Sequence, residues 1–178
     1  PTGFEALAFA DTEIPIGRGQ SMMTPTLEGR VLQALDPQAG DKVLEIGTGT
    51  GFLSACFRRL AAHVTSVDIH EDFLETAKVN LEDSGISDVS LLAMDATREL
   101  PDETFDVIAV TASVEEFDPR YLGVLAPGGR LFIVVGKAPA MEARLVTKTG
   151  DKDWETESLF ETQLAPLVDA NRRSEFLF

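Results

Sequence analysis

The sequence predicts an α/β fold: a doubly wound, mostly parallel sheet of seven strands, closed by an antiparallel hairpin at its C-terminal end. Three observations carry that expectation. In Val43-Leu44-Glu45-Ile46-Gly47-Thr48-Gly49-Thr50-Gly51-Phe52 an aliphatic run ends in a glycine-rich turn, and a helical pattern starts at once. Through the middle of the chain, short apolar runs then alternate with helical periodicity, as in βα units laid on a parallel sheet. Finally, Leu131-Phe132-Ile133-Val134-Val135 is unbroken apolar sequence, which suits a strand buried on both faces.

Taken in order, residues 1–20 mix aromatic, Gly and Pro residues without a long period. Ile14-Pro15-Ile16-Gly17-Arg18-Gly19-Gln20 reads as a loop or irregular edge segment, because its prolines and glycines forbid a central strand. Thr24 is placed to cap a helix that opens with Pro25, buries Leu27, Val31, Ala34 and Leu35, and stops at Asp36-Pro37. After the strand that ends at the glycine turn, Leu53, Cys56, Phe57 and Leu60 fall at i, i+3, i+4 and i+7, one face of an amphipathic helix. Strand, tight turn and helix make the front half of a Rossmann-like unit. Val64 to Asp68 is the next strand. Glu71 to Asp83 is a helix with Phe73, Ala77 and Leu81 on one stripe and Gly85 past its end. Strands follow at Val89–Ala93 and Phe105–Val110, with small residues Thr111-Ala112-Ser113 after the second. A short helix runs from Tyr121 to Leu125, Ala126-Pro127-Gly128-Gly129 is a turn, and Arg130–Gly136 is a strand. Glu142–Thr147 and Trp154–Leu164 read as a hairpin through Thr149-Gly150-Asp151, and the residues after Pro166 are expected to fray.

The bulk properties narrow the function. At 178 residues one domain is the natural expectation, and 44% apolar with 25% charged residues is ordinary for a globular protein. Fifteen basic against thirty acidic residues leave a net charge of −15, which disfavours nucleic acid and anionic membranes as partners. No apolar run approaches the ~18 residues of a membrane span, and no secretory signal is visible. The lone Cys56 permits no internal disulfide, in keeping with a reducing cytoplasm, and its place on an apolar helix face suits a small buried hydrophobe. The chain opens at Pro1 rather than Met, so an N-terminal portion is expected to be missing.

The turn selects the ligand. A dinucleotide fingerprint needs Gly or Ala where Phe52 stands, and a phosphate-binding P-loop needs a lysine that does not follow. Glu45 would lie beside any pyrophosphate held at the helix end, an unfavourable pairing. A ligand with an ammonium group and no phosphate reverses that sign, and S-adenosyl-L-methionine is such a ligand. A purely structural glycine turn is the plain alternative. Asp68 lies 21 residues beyond Gly47, close to the ~20-residue separation of a ribose-binding acid; helix capping is its alternative role. With Asp95, these acids end three successive strands, so the topology places them on one rim. They suit amino group, ribose hydroxyls and adenine of a cationic nucleoside in turn. A metal site is the competing use of clustered carboxylates. It ranks lower, since the acids come from separate strand ends and the glycine turn would go unexplained. His63 reads as a strand-edge residue, and His70 as either a loop residue or a neighbour of the ribose or adenine.

With these segments in hand, the sequence resembles the class I S-adenosylmethionine-dependent methyltransferases. More narrowly, it resembles the protein-L-isoaspartate O-methyltransferase family, as a divergent member. The resemblance rests on Ile14–Pro25, the Val43–Phe52 turn, Phe105–Ala112 and Leu125–Gly136, in the family's order and over most of the chain. It implies that Glu45, Gly47, Thr48, Gly49, Asp68, Ile69, Asp95, Ala96 and Thr111 surround the cofactor. It also implies that Ser21, Met22, Met23 and Thr24 form the wall between cofactor and substrate. The implied substrate is a protein or peptide bearing an L-isoaspartyl carboxylate, converted to a methyl ester for repair. Members usually carry a helical segment ahead of the point where this chain begins. The implied organisation is one methyltransferase domain over 1–178, with 1–40 as an N-terminal cap on the substrate side, 41–136 as the cofactor-binding core and 137–178 as C-terminal hairpin and tail.

Two departures stand out. The family's functional serine is replaced by Met23, leaving Ser21 and Thr24 as the nearby hydroxyls, and its Gly-Asp-Gly becomes Met94-Asp95-Ala96. A methyltransferase acting on another substrate, small molecule or protein, and an S-adenosylmethionine-binding module without catalysis therefore stay open beside the repair enzyme. Arg18 is the nearest cation in sequence that could draw in a substrate carboxylate, with an exposed surface arginine as the alternative.

Overall fold

The computed structural model describes residues 3–170. A short 3-10 turn, Glu5–Leu7, precedes a two-stranded antiparallel hairpin of β1 (Ile14–Gly17) and β2 (Gln20–Met22). Then come α1 (Pro25–Leu35), β3 (Lys42–Ile46), α2 (Phe52–Leu60), β4 (His63–Asp68), α3 (Glu71–Asp83), β5 (Val89–Ala93) and β6 (Phe105–Val114). The chain closes with α4 (Arg120–Val124), β7 (Leu125–Lys137), β8 (Ala140–Lys148) and β9 (Trp154–Glu161). The main sheet has seven strands in the order β5-β4-β3-β6-β7-β8-β9. Its first five strands in that order pair in parallel, and β8 and β9 add on antiparallel as a meander.

The side-chain period of two divides the core into two layers. On one face, Val43, Val64, Val107, Ala109, Phe132 and Val134 pack with Leu27, Val31 and Leu35 of α1 and Leu53 and Phe57 of α2. On the other, Leu44, Ile46, Val67, Ile108, Val110, Leu131 and Ile133 pack with Ala96, Tyr121 and Leu125. Each of these fully buried large aliphatic or aromatic side chains contributes roughly 1.5–3 kcal/mol over exposure. Asp41 and Arg130 link the two halves of the sheet by an ion pair at 2.6 Å, and Arg130 Nη1 also donates to Asp36 O.

Most elements fall where the sequence places them; the exceptions have local reasons. The segment expected to be irregular forms the β1–β2 hairpin, turned by positive φ at Gly17, Arg18 and Gly19. It stands apart from the main sheet, so Pro15 interrupts no central ladder. Leu60 is 45% exposed, because α2 ends there and the chain turns inward with Ala61 instead. β6 runs on through Thr111-Ala112-Ser113 to Val114, since Ser113 N donates to Ala165 O and Leu167 N to Ser113 O. The same bonds correct the expected fraying just after Pro166; residues 171–178 lie outside the described residues. The Ala126–Gly129 turn is absorbed into β7, whose pairing with β6 shifts register there.

Candidate active site

Between β3 and β6 the sheet reverses its winding direction. A parallel sheet opens a crevice at such a point, at the carboxyl ends of the strands. Gly47 from β3 and Thr111 from β6 face each other across it. Thr111 Oγ1 lies 2.9 Å from both Ile46 O and Gly47 O, and a Cβ on Gly47 would overlap that hydroxyl. The turn is therefore glycine for close approach as well as for its positive φ of 99°. Gly51 has a second reason, since a Cβ there would press on Ala77 of α3 at 3.0 Å.

Two adjoining cavities open over this turn. The first is lined by Gly47, Gly49, Asp68, Ile69, Asp95, Ala96 and Thr111, all expected from the sequence. His70, Phe73, Met94 and Ala112 complete its β-strand side, and Ile16, Gln20 and Ser21 of the hairpin close over it. Pro166, Leu167 and Val168 also line it. Nothing local in the sequence marks those three, since they are brought there by the Ser113 bonds. The second cavity holds Met22, Met23, Glu28, Glu45, Thr48, Phe52 and Leu53, and shares Ile16, Ser21, Gly47, Gly49 and Thr111 with the first.

The three acids differ in what they do locally. Asp68 is 8% exposed; its Oδ2 accepts from Gly49 N and its Oδ1 from His70 N, both at 3.0 Å. A carboxylate has about four lone-pair sites, so two remain for a ligand. Asp95 holds its own loop, accepting from Thr97 N and Thr97 Oγ1 and pairing with Arg98 at 3.0 Å. Glu45 is fully buried and does not line the first cavity. It shares strand parity with Val43, so it points under α1 and α2. There Ser54 Oγ and Ser66 Oγ donate to its Oε2, the latter at 2.6 Å, and Oε1 has no partner among the described residues. Burial pushes its pKa up to about 7; the two serine hydrogen bonds oppose that rise, and the nearby Asp68 and Glu28 charges add to it. Burial does the same to Glu28 on α1, to about 7. Glu28 was not singled out in the sequence, although it follows Leu27 on the buried side of a clear amphipathic pattern.

The hydroxyl candidates separate. Ser21 borders both cavities. Thr24 borders neither; its Oγ1 accepts from Leu27 N at 3.3 Å as the α1 N-cap. Met23 is 8% exposed and packs into the core beside the second cavity. Thr48 is buried, with Oγ1 2.7 Å from Ser66 Oγ. Arg18 is an exposed partner of Asp72 at 3.0 Å, and His63 lies within 3.5 Å of the Thr65 and Ser90 hydroxyls. Burial first, and then the Glu28 and Glu45 charges, push the half-buried Cys56 thiol up, which suppresses the reactive thiolate.

A glycine turn with no room for a Cβ at Gly47, an acid with free lone pairs beside it and an orphaned carboxylate oxygen beneath it fit a cationic nucleoside such as S-adenosyl-L-methionine. Among the described residues no group of three or more His, Cys, Asp and Glu could hold a metal ion, and no helix is long and apolar enough to cross a membrane.

Comparison with known proteins agrees with that geometry. A protein-L-isoaspartate O-methyltransferase of Koribacter versatilis is 36% identical over 162 residues, spanning 90% of this chain and 72% of the relative. A solved protein-L-isoaspartate O-methyltransferase superposes with a TM-score of 0.78 at 26% identity, covering 90% of this chain and 53% of that one. A Plasmodium falciparum chain described as a protein-L-isoaspartate O-methyltransferase, in complex with S-adenosyl-L-homocysteine, shares the fold with a TM-score of 0.76 at 20% identity, over 88% of this chain and 80% of its own. The family description "Protein-L-isoaspartate(D-aspartate) O-methyltransferase (PCMT)" matches residues 1–172. With the switch-point crevice, its glycine turn and the acid that ends β4 all in place, the chain belongs to the protein-L-isoaspartate(D-aspartate) O-methyltransferase family.

Proposed function

We propose that the protein is an S-adenosyl-L-methionine-dependent O-methyltransferase that esterifies the carboxylate of L-isoaspartyl residues in damaged proteins or peptides. Family membership over residues 1–172 is the observation that carries this reading. When bound, the cofactor supplies an activated methyl group on a sulfonium. The remaining work falls to the chain. Asp68 holds the ribose hydroxyls, and Gly47, Thr48 and Gly49 let the backbone approach the ligand. Ile69, Asp95, Ala96 and Thr111 bound the nucleoside end; Ser21, Met22 and Met23 separate cofactor from acceptor.

An isoaspartyl carboxylate, with an ordinary carboxyl pKa near 4, is ionised at pH 7. It is its own nucleophile and needs no general base. The protein has to align it, exclude water and keep its solvation poor. Neither histidine is needed for this.

The same proposal treats residues 1–178 as one methyltransferase domain: cap (1–40), cofactor core (41–136), hairpin and tail (137–178). It places the protein in the cytoplasm, with the unpaired Cys56 as support. The test is methyl-ester formation on an isoaspartyl peptide, its normal aspartyl twin and small carboxylic acids. Ester on the isoaspartyl peptide alone is expected. Turnover only on a small acid would replace the substrate class and leave the methyltransferase. Cofactor binding without turnover on any acceptor would favour a binding module.

A further inference from the structure

Glu28 has no part in the chemistry described so far. It sits on the buried side of α1 at 6% exposure, and no hydrogen bond or ion pair reaches its carboxylate among the described residues. It lines the second cavity with Glu45, whose Oε1 is sealed and unpartnered. The two acids come from different elements, a helix and a strand, and meet in the layer between them. The Glu28 charge acts on Glu45, and both act on Cys56. Among the described residues no Lys, Arg or His lines this cavity.

Two buried carboxylates without a counter-cation are unfavourable, and the arrangement is relieved by a cation in the space they share. A hard metal ion wants six or more oxygen ligands, whereas here two acids stand among apolar side chains and the hydroxyls of Ser21, Thr48, Thr50 and Thr111, of which Thr48 is already bonded to Ser66 and Thr111 to the Ile46 and Gly47 carbonyls. An alkylammonium asks for less: three donors and an apolar surround.

We propose that Glu28 joins Glu45, the acid the sequence already sets at the cofactor's amino group, in receiving the α-ammonium of S-adenosyl-L-methionine. The inference rests on the cofactor reading above. It is the cofactor's ammonium rather than an acceptor's because the two cavities share Ile16, Ser21, Gly47, Gly49 and Thr111, so one ligand runs from nucleoside end to amino-acid end over the glycine turn. Glu28 is then a specificity residue for the amino-acid half of the cofactor. The titratable groups facing the pair are Asp68 on β4 and Cys56 on α2, with Arg59 acting on Cys56 from the same helix. Since the ammonium requires ionised carboxylates and both acids titrate near pH 7, its affinity rises with pH through that range.

Two ligands separate the halves of the site: S-adenosyl-L-homocysteine, which carries the ammonium, and 5′-methylthioadenosine, which lacks the amino-acid end. Calorimetry at pH 8 should show Glu28→Gln weakening the first by about tenfold or more, the scale of a charge-assisted contact, with the second unchanged. In the wild type, the preference for S-adenosyl-L-homocysteine over 5′-methylthioadenosine should grow from pH 6 to pH 8. This second measurement stands even if Glu28→Gln fails to fold. Equal losses for both ligands, no loss for either, or a preference flat with pH would each overturn the proposal. A wild type that binds neither ligand would bring down the cofactor reading itself, a result distinct from all three.

Discussion

At Asp68 each carboxylate oxygen already accepts one backbone N–H, from Gly49 and from His70. The residue therefore shapes the glycine turn and the chain just ahead of α3, whose N-cap His70 has no side-chain cap bond, while leaving lone pairs toward the first cavity for the proposed ribose contact. Asp68→Ala should weaken S-adenosyl-L-homocysteine by roughly 1.5–3 kcal/mol, about ten- to over a hundredfold. An unchanged dissociation constant in a variant whose circular dichroism is native would assign Asp68 to the turn alone. Met23 is the other decisive position. Its thioether is a weak acceptor, and Thr24 spends its hydroxyl on the helix cap, so of the two neighbouring hydroxyls Ser21 is the one left on the cavity wall. Met23→Ser should raise ester formation on an isoaspartyl peptide while cofactor affinity stays close to wild type. Equal rates in the two proteins would show that this acceptor site no longer relies on a hydroxyl there.

At the scale of elements, α1 couples stability to the site, because one short helix carries both the core residues Leu27, Val31 and Leu35 and the acid Glu28. Its start is set by Thr24 Oγ1 on Leu27 N, with Pro25 at the first helical position, where a missing N–H costs nothing. Thr24→Ala should lower stability by about 1 kcal/mol. Urea titration reads that loss, and methylthioadenosine affinity, which depends on the first cavity, should hold. A loss of that affinity with unchanged stability would place Thr24 in the site instead. The caps, the glycine turn and the helix periods were legible because they are local. The β1–β2 hairpin was not, since its pairing is decided by three consecutive positive-φ residues that the sequence shows only as glycines around an arginine.

Over the whole molecule, thirty acids against fifteen bases make pH a strong variable. Glu28 and Glu45 have pKa values raised by burial to about 7 from an ordinary 4.5. Between those values the folded chain holds protons that the unfolded chain has released. Their contribution to stability is thus present below pH 4.5 and is lost as pH rises through about 7, by up to roughly 3 kcal/mol for a single carboxyl. The exposed acids Asp72 and Asp88, lowered first by their arginine hydrogen bonds, act the opposite way and only at lower pH. The urea midpoint should therefore be higher at pH 5.5 than at pH 8, with the difference shrinking in Glu28→Gln. A midpoint that rises with pH over this interval would show that the two acids are not buried as the fold has them.

By itself the sequence determined the alternation of strands and helices, the glycine turn, and the arrival of Glu45, Asp68 and Asp95 at or near the ends of three neighbouring strands. These follow from periodicity and steric rules that act within a few residues. Strand parity even held the clue that Glu45 belongs to the Val43 face, away from Leu44 and Ile46. Only the tertiary structure decided that Pro166–Val168 return to the first cavity, that β8 pairs with β7 and leaves β9 at the edge, and that Glu28 and Glu45 line one cavity. Each depends on contacts between segments far apart in the chain, such as the bonds of Ser113 to Leu164, Ala165 and Leu167. No local pattern encodes which distant backbone group will satisfy an edge, or which buried acid will find another across a helix–sheet layer.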